Sequence, residues 1–212
     1  MTKTILAYGD SNTYGTPPAL VAGENRRFDA ATRWPGVMQE NLGEGYTVIE
    51  EGLPGRTTVL ADPVKGPHLD GQVGLRIALE SHGPIDLLII MLGTNDAQTH
   101  YARSAAQIAA GVAALIAIAK SEPYQLRHEG FEILIVAPPP VLEEGTYKEF
   151  LLDAAATSHD FAPAMRRIAE HWGVAFFDAA GHAASSPIDG VHFTAEDHIA
   201  LGRALAEKVR SL

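Results

Sequence analysis

The stretch Ile5-Leu6-Ala7-Tyr8-Gly9-Asp10-Ser11-Asn12-Thr13-Tyr14-Gly15 decides how the rest of the chain is read. A short apolar run ends at Gly9, and an acid, a hydroxyl and an amide follow at once. A buried strand that breaks into a polar turn is where an open α/β sheet places its ligand site, outside the carboxyl ends of its strands. Ser11 at that break is a candidate nucleophile. Gly-Asp-Ser is equally the sequence of an ordinary capped turn, so the assignment needs a base, an orienting acid and oxyanion donors from elsewhere in the chain.

Outward from that stretch, 212 residues with 46% hydrophobic and 20% charged side chains fit one compact domain spanning residues 1–212. The formal charge of -10, a pI near 5.3 and scattered basic residues point away from nucleic acid and from anionic membrane surfaces as partners. Cysteine is absent, which excludes a thiol nucleophile, a zinc–thiolate site and a disulfide framework. No apolar run approaches membrane-spanning length, and the first core strand begins with no signal-type stretch before it. The expectation is a cytoplasmic protein.

Apolar periodicity predicts strands at 5–9, 46–49, 85–92, 131–137 and 174–177, with the third apolar on both faces and therefore central. Helices are predicted over 34–42, 72–82, 104–120, 160–172 and 195–209. Five strands alternating with helices indicate a flavodoxin-like three-layer α/β sandwich, a five-stranded parallel sheet with helices on both faces. The irregular segments 16–32 and 138–158 are the expected walls of a site entrance.

The polar motifs all fall just after strand carboxyl ends. Asp189-Gly190-Val191-His192 precedes the last helix, and its histidine can take a proton from a hydroxyl near neutrality. Asp189, three residues upstream with a glycine between, can bend back onto the far ring nitrogen, fixing the tautomer. Gly93-Thr94-Asn95-Asp96 puts a carboxamide at the tip of the central strand, next to Ser11 in a flavodoxin-like order. Asp96 reads as an N-cap or local turn brace. The turn Leu53-Pro54-Gly55 offers a backbone N–H where no Cβ obstructs approach.

Together, Gly9-Asp10-Ser11-Asn12, Gly55, Gly93-Thr94-Asn95-Asp96 and Asp189-Gly190-Val191-His192 resemble the SGNH hydrolase superfamily, or GDSL-type esterases, from end to end. The resemblance implies Ser11 as nucleophile, His192 as general base and Asp189 as its orienting acid. It also implies an oxyanion hole from the Ser11 and Gly55 backbone N–H groups and the Asn95 side chain. Arg33-Trp34-Pro35-Gly36, Val48 to Leu53, Arg56-Thr57-Thr58 and Gly190 to Thr194 look like the bacterial arylesterase/acyltransferase branch. That branch hydrolyses short acyl esters of activated or small alcohols, and some members transfer the acyl group or form homo-oligomers that bury the site entrance. Two departures stand out. Asn12 replaces the leucine of the family name, which raises the question of acyl preference, and Glu50 and Gly52 stand where many members carry Asn and Ser.

The expected reaction is hydrolysis of short-chain acyl esters of aryl or small alcohols, with no cofactor. A carbohydrate O-deacetylase is the alternative within the same superfamily. Asn12, Tyr14, Trp34, Leu53, Phe150 and Phe193 are the candidate substrate-binding residues, mostly apolar and equally suited to a core. A metal site at His192, Asp197 and His198 is disfavoured by their spacing. A flavodoxin-like nucleotide- or flavin-binding module, with Ser11, Thr13 and Thr16 around a phosphate, leaves the Asn95 and His192 motifs unexplained.

Overall fold

In the computed structural model, which describes residues 2–212, one five-stranded sheet carries the chain. The strands are β1 (Lys3–Gly9), β2 (Tyr46–Gly52), β3 (Leu87–Met91), β4 (Glu132–Ala137) and β5 (Ala175–Asp178). The helices are α1 (Ser11–Tyr14), α2 (Trp34–Leu42), α3 (Gly71–Ser81), α4 (Ala105–Ala119), α5 (Glu122–Arg127), α6 (Ala154–His159), α7 (Phe161–Trp172) and α8 (Ala195–Arg210). The strands are all parallel in the order β2-β1-β3-β4-β5, the expected flavodoxin-like arrangement.

Side chains alternate across the sheet, so each strand feeds two cores. Leu6, Tyr8, Leu88, Ile90, Ile133 and Ile135 pack with α3, α4 and α7 on one face. Ile5, Ala7, Leu87, Ile89, Leu134 and Val136 pack with α2 and α8 on the other. Every residue of β3 is buried, as its continuous apolar run predicts. Trp34 and Phe193 lie in the second core at 0% and 1% exposure. Among the described residues, no helix is long and apolar enough to cross a membrane.

The β2 strand runs three residues further than its apolar part, through Glu50 and Glu51. Those carboxylates have partners: Glu50 takes a two-point contact from Arg33 (2.5 and 2.9 Å) and one from Arg27 (2.8 Å), and Glu51 meets His82 at 2.8 Å. This extension brings the end of β2 level with the end of β1, where Gly9 pairs with Gly52.

Candidate active site

The chain leaves β1 at Gly9 and immediately turns into α1. Asp10 is its N-cap: Oδ1 accepts from the Asn12 N–H at 2.9 Å. The helix lies directly on the end of β2, and only a glycine at 52 allows this, because a Cβ there would sit 2.1 Å from the Tyr14 nitrogen. Ser11, in the first turn of α1, is 5% exposed at the sheet rim. Burial dominates at Asp10 and raises its carboxyl to about 6, against the pull of the Asn12 N–H.

The loop before α8 closes on itself as the spacing predicts. Asp189 Oδ2 bonds His192 Nδ1 at 2.6 Å, and Oδ1 accepts from the backbone N–H groups of Val191 (3.0 Å) and His192 (2.9 Å). A fourth donor, the Ala19 N–H, reaches Oδ2 at 2.8 Å from the segment after α1. Burial alone would raise this carboxyl, but the hydrogen bonds and the His192 ring hold it below the usual carboxylate range. With Nδ1 engaged, His192 has Nε2 as its remaining ring nitrogen for proton transfer. The Tyr147 ring meets the His192 ring edge-on, centroids 5.9 Å apart.

The next two strand ends carry Gly55 and Asn95. Leu53-Pro54-Gly55-Arg56 is closed by an Arg56 N–H to Leu53 carbonyl bond of 3.0 Å. Proline second and a glycine third with φ of 88° is the residue pattern of a type II turn. After β3, Asn95 donates from Nδ2 to the Arg56 carbonyl at 3.0 Å, and its second N–H faces Asp10 Oδ2 at the longer distance of 3.4 Å. Its Oδ1 accepts from Gln98 Nε2 at 2.9 Å, which fixes the amide's orientation. The weakly held N–H is the one free to turn to another acceptor.

Beneath these donors lies Arg56, 4% exposed. Its guanidinium stacks 4.1 Å over the Tyr8 ring, donates to the Gly9 carbonyl at 2.7 Å and also contacts the Glu51 carbonyl. Asp96 braces the neighbouring loop by accepting from the Thr58 N–H (3.0 and 3.1 Å) and hydroxyl, and burial lifts its carboxyl to about 7 despite those bonds. It is a brace across 38 residues, neither the N-cap nor the local turn brace expected. Neither Arg56 nor Gln98 had a role in the sequence. The only signal for Gln98 was its place three residues after Asn95.

Two of the six expected substrate-binding residues are corrected. Trp34 and Phe193 are sealed in the core between the sheet, α2 and α8. Asn12, 1% exposed, pairs its carboxamide with the backbone on either side of His192. Tyr14, covered by the Arg27 guanidinium at 4.3 Å, and Leu53 are partly buried. Phe150 is 52% exposed beside Tyr147. His192, Asp197 and His198 do not converge: Asp197 forms a capping box with Thr194, and no group able to hold a metal occurs among the described residues.

The family model described as GDSL-like lipase/acylhydrolase matches residues 7–198. No curated protein matches the chain. Among solved structures, the native M. smegmatis aryl esterase is similar at 36% identity with a TM-score of 0.94, covering 100% of both chains. Est24, a carbohydrate acetylesterase from Sinorhizobium meliloti, is similar at 35% identity and a TM-score of 0.94, covering 99% of each. A carbohydrate acetylesterase family member from the same organism matches at 36% and 0.90, over 99% of this chain and 98% of that one. Matched over most of its length by sequence and by structure, the chain belongs to the GDSL-like lipase/acylhydrolase family.

Proposed function

We propose that this protein is a serine esterase that hydrolyses short-chain acyl esters of aryl or small alcohols through an acyl-enzyme. The observation that carries the reading is the Asp189–His192 pair, clamped by Asn12 against the helix that presents Ser11. Ser11 Oγ attacks the ester carbonyl carbon while its proton passes to His192 Nε2. Asp189 holds Nδ1 and stabilises the imidazolium. The Ser11 and Gly55 N–H groups and the Asn95 amide bind the oxyanion. Collapse of the intermediate breaks the acyl C–O bond, and the leaving alkoxide takes the proton from His192. Water, or a second alcohol in an acyl transfer, then attacks the acyl-Ser11 ester by the same steps in reverse.

The segment Gly145–Phe150 forms the wall beside His192, with Tyr147 against the imidazole. Exposed Leu20, Ile188 and Phe150 border it, tied together through the Thr146 hydroxyl and the Tyr147 ring. That apolar border suits an acetyl or aryl group, and it also suits contact between copies in a homo-oligomer, which sedimentation would read. A carbohydrate O-deacetylase is the second reading, supported by the similarity to the two Sinorhizobium meliloti structures as the first is by the similarity to the aryl esterase. Turnover of p-nitrophenyl acetate against that of an acetylated sugar separates the two. Ser11→Ala should lower turnover of the better substrate on the order of a millionfold. Near-wild-type hydrolysis by Ser11→Ala would sink the serine mechanism.

A further inference from the structure

Asn12 sits next to Ser11, yet its side chain serves a loop 179 residues away. Nδ2 donates to the Val191 carbonyl at 3.2 Å, and Oδ1 accepts from the Phe193 N–H at 3.3 Å. In an extended segment the carbonyl of one residue and the N–H two residues on face the same side. The carboxamide therefore pairs with both, as the N–H and C=O of one residue on a neighbouring parallel strand would. The residue enclosed between them is His192.

This contact links the helix that carries Ser11 directly to the loop that carries His192. Asp189 fixes the ring from the Nδ1 side. Asn12 fixes the backbone that carries the ring, and it does so from the helix that carries Ser11. Only a side chain with a donor and an acceptor in one plane completes the pair. Leucine, the residue of the family name, offers neither, and aspartate keeps the acceptor but loses the donor to Val191. At 1% exposure the amide has no water to turn to, so an unpaired partner would stay unpaired.

We propose that Asn12 is a positioning residue that sets the His192 imidazole relative to Ser11, and is not a determinant of acyl preference. The inference rests on the serine-esterase reading above, but part of its test does not. Asn12→Leu and Asn12→Asp should each lower kcat on p-nitrophenyl acetate about ten- to a hundredfold, with KM within about twofold. The loss should be the same for acetyl, butyryl and hexanoyl esters. The His192 Nδ1–H proton, held against Asp189, should appear in the wild type as a far-downfield NMR resonance, and should broaden or move upfield in both variants while folding midpoints stay close to wild type. Asn12→Asp, being isosteric, serves if the leucine variant does not fold. An unchanged resonance and unchanged kcat, or a loss that depends on acyl length, would overturn the proposal. A wild type without Ser11-dependent esterase activity refutes the esterase reading instead, and the resonance then still reports whether Asn12 sets the His192 loop.

Discussion

Asn95 shows how a single amide is prepared. Its oxygen is taken by Gln98 and one N–H by the Arg56 carbonyl, so the other N–H, held only at 3.4 Å by Asp10, is the one left for another acceptor. Asn95→Ala should cost about 3 kcal/mol of transition-state stabilisation, on the order of a hundredfold in kcat. Gln98→Ala should lose about tenfold through misorientation, and the double variant should be no worse than Asn95→Ala, because Gln98 acts only through Asn95. Additive losses in that cycle would show an independent role for Gln98. At this scale the sequence was legible where chemistry narrows the choice. Ser11, Gly55 and Asn95 were read from residue type just past strand ends, and Asp189 and His192 as a pair from their spacing, which their 2.6 Å contact matches. Asn12, Gln98 and Arg56 were not legible, because their roles are partnerships fixed only when distant loops meet, Asn12 with Phe193 across 181 residues.

At the scale of elements, the strands and the longer helices followed from period and length alone. β3 and the helices α2, α3, α4, α7 and α8 were predicted to within about two residues at each end. The three short helices α1, α5 and α6 escaped notice, since four to six residues hold too little of a 3.6-residue period to stand out. The end of β2 escaped because Glu50 and Glu51 read as loop until Arg33, Arg27 and His82 are placed beside them. The α1–β2 contact leaves no room for a side chain at Gly52. Gly52→Ala puts a methyl group into the α1 backbone and should cost about 1–3 kcal/mol of stability. It should also push Ser11 off its line, so kcat falls more than the folded fraction does. Thermal melts alongside kinetics read both, and a stable, fully active variant would contradict the packing argument.

Across the whole molecule, buried titratable groups couple stability to pH. His198 is fully buried between α2 and α8, accepts from the Trp34 N–H at Nδ1 (3.3 Å), and burial lowers its pKa to about 4. The unfolded chain therefore binds a proton on this residue between about pH 6.5 and 4 that the folded chain refuses, so stability is lost as pH falls through that window. The loss should reach about 3 kcal/mol, and a His198→Asn variant should lack it. Asp10 and Asp96, raised to about 6 and 7, act in the opposite sense, with stability falling as pH rises through their range. They are common to both proteins, so the difference in slope between wild type and variant isolates His198 in urea titrations. Equal slopes would mean His198 does not carry this term.

The central claim is that the turn after β1 presents a serine activated by the loop before α8. The most direct measurement is the intact mass of the protein after reaction with a fluorophosphonate, with the adduct mapped to its residue. One phosphonyl group per chain on Ser11, absent in Ser11→Ala and formed far more slowly in His192→Ala, is the predicted result. An adduct on another residue, or equal labelling of Ser11→Ala, would contradict it.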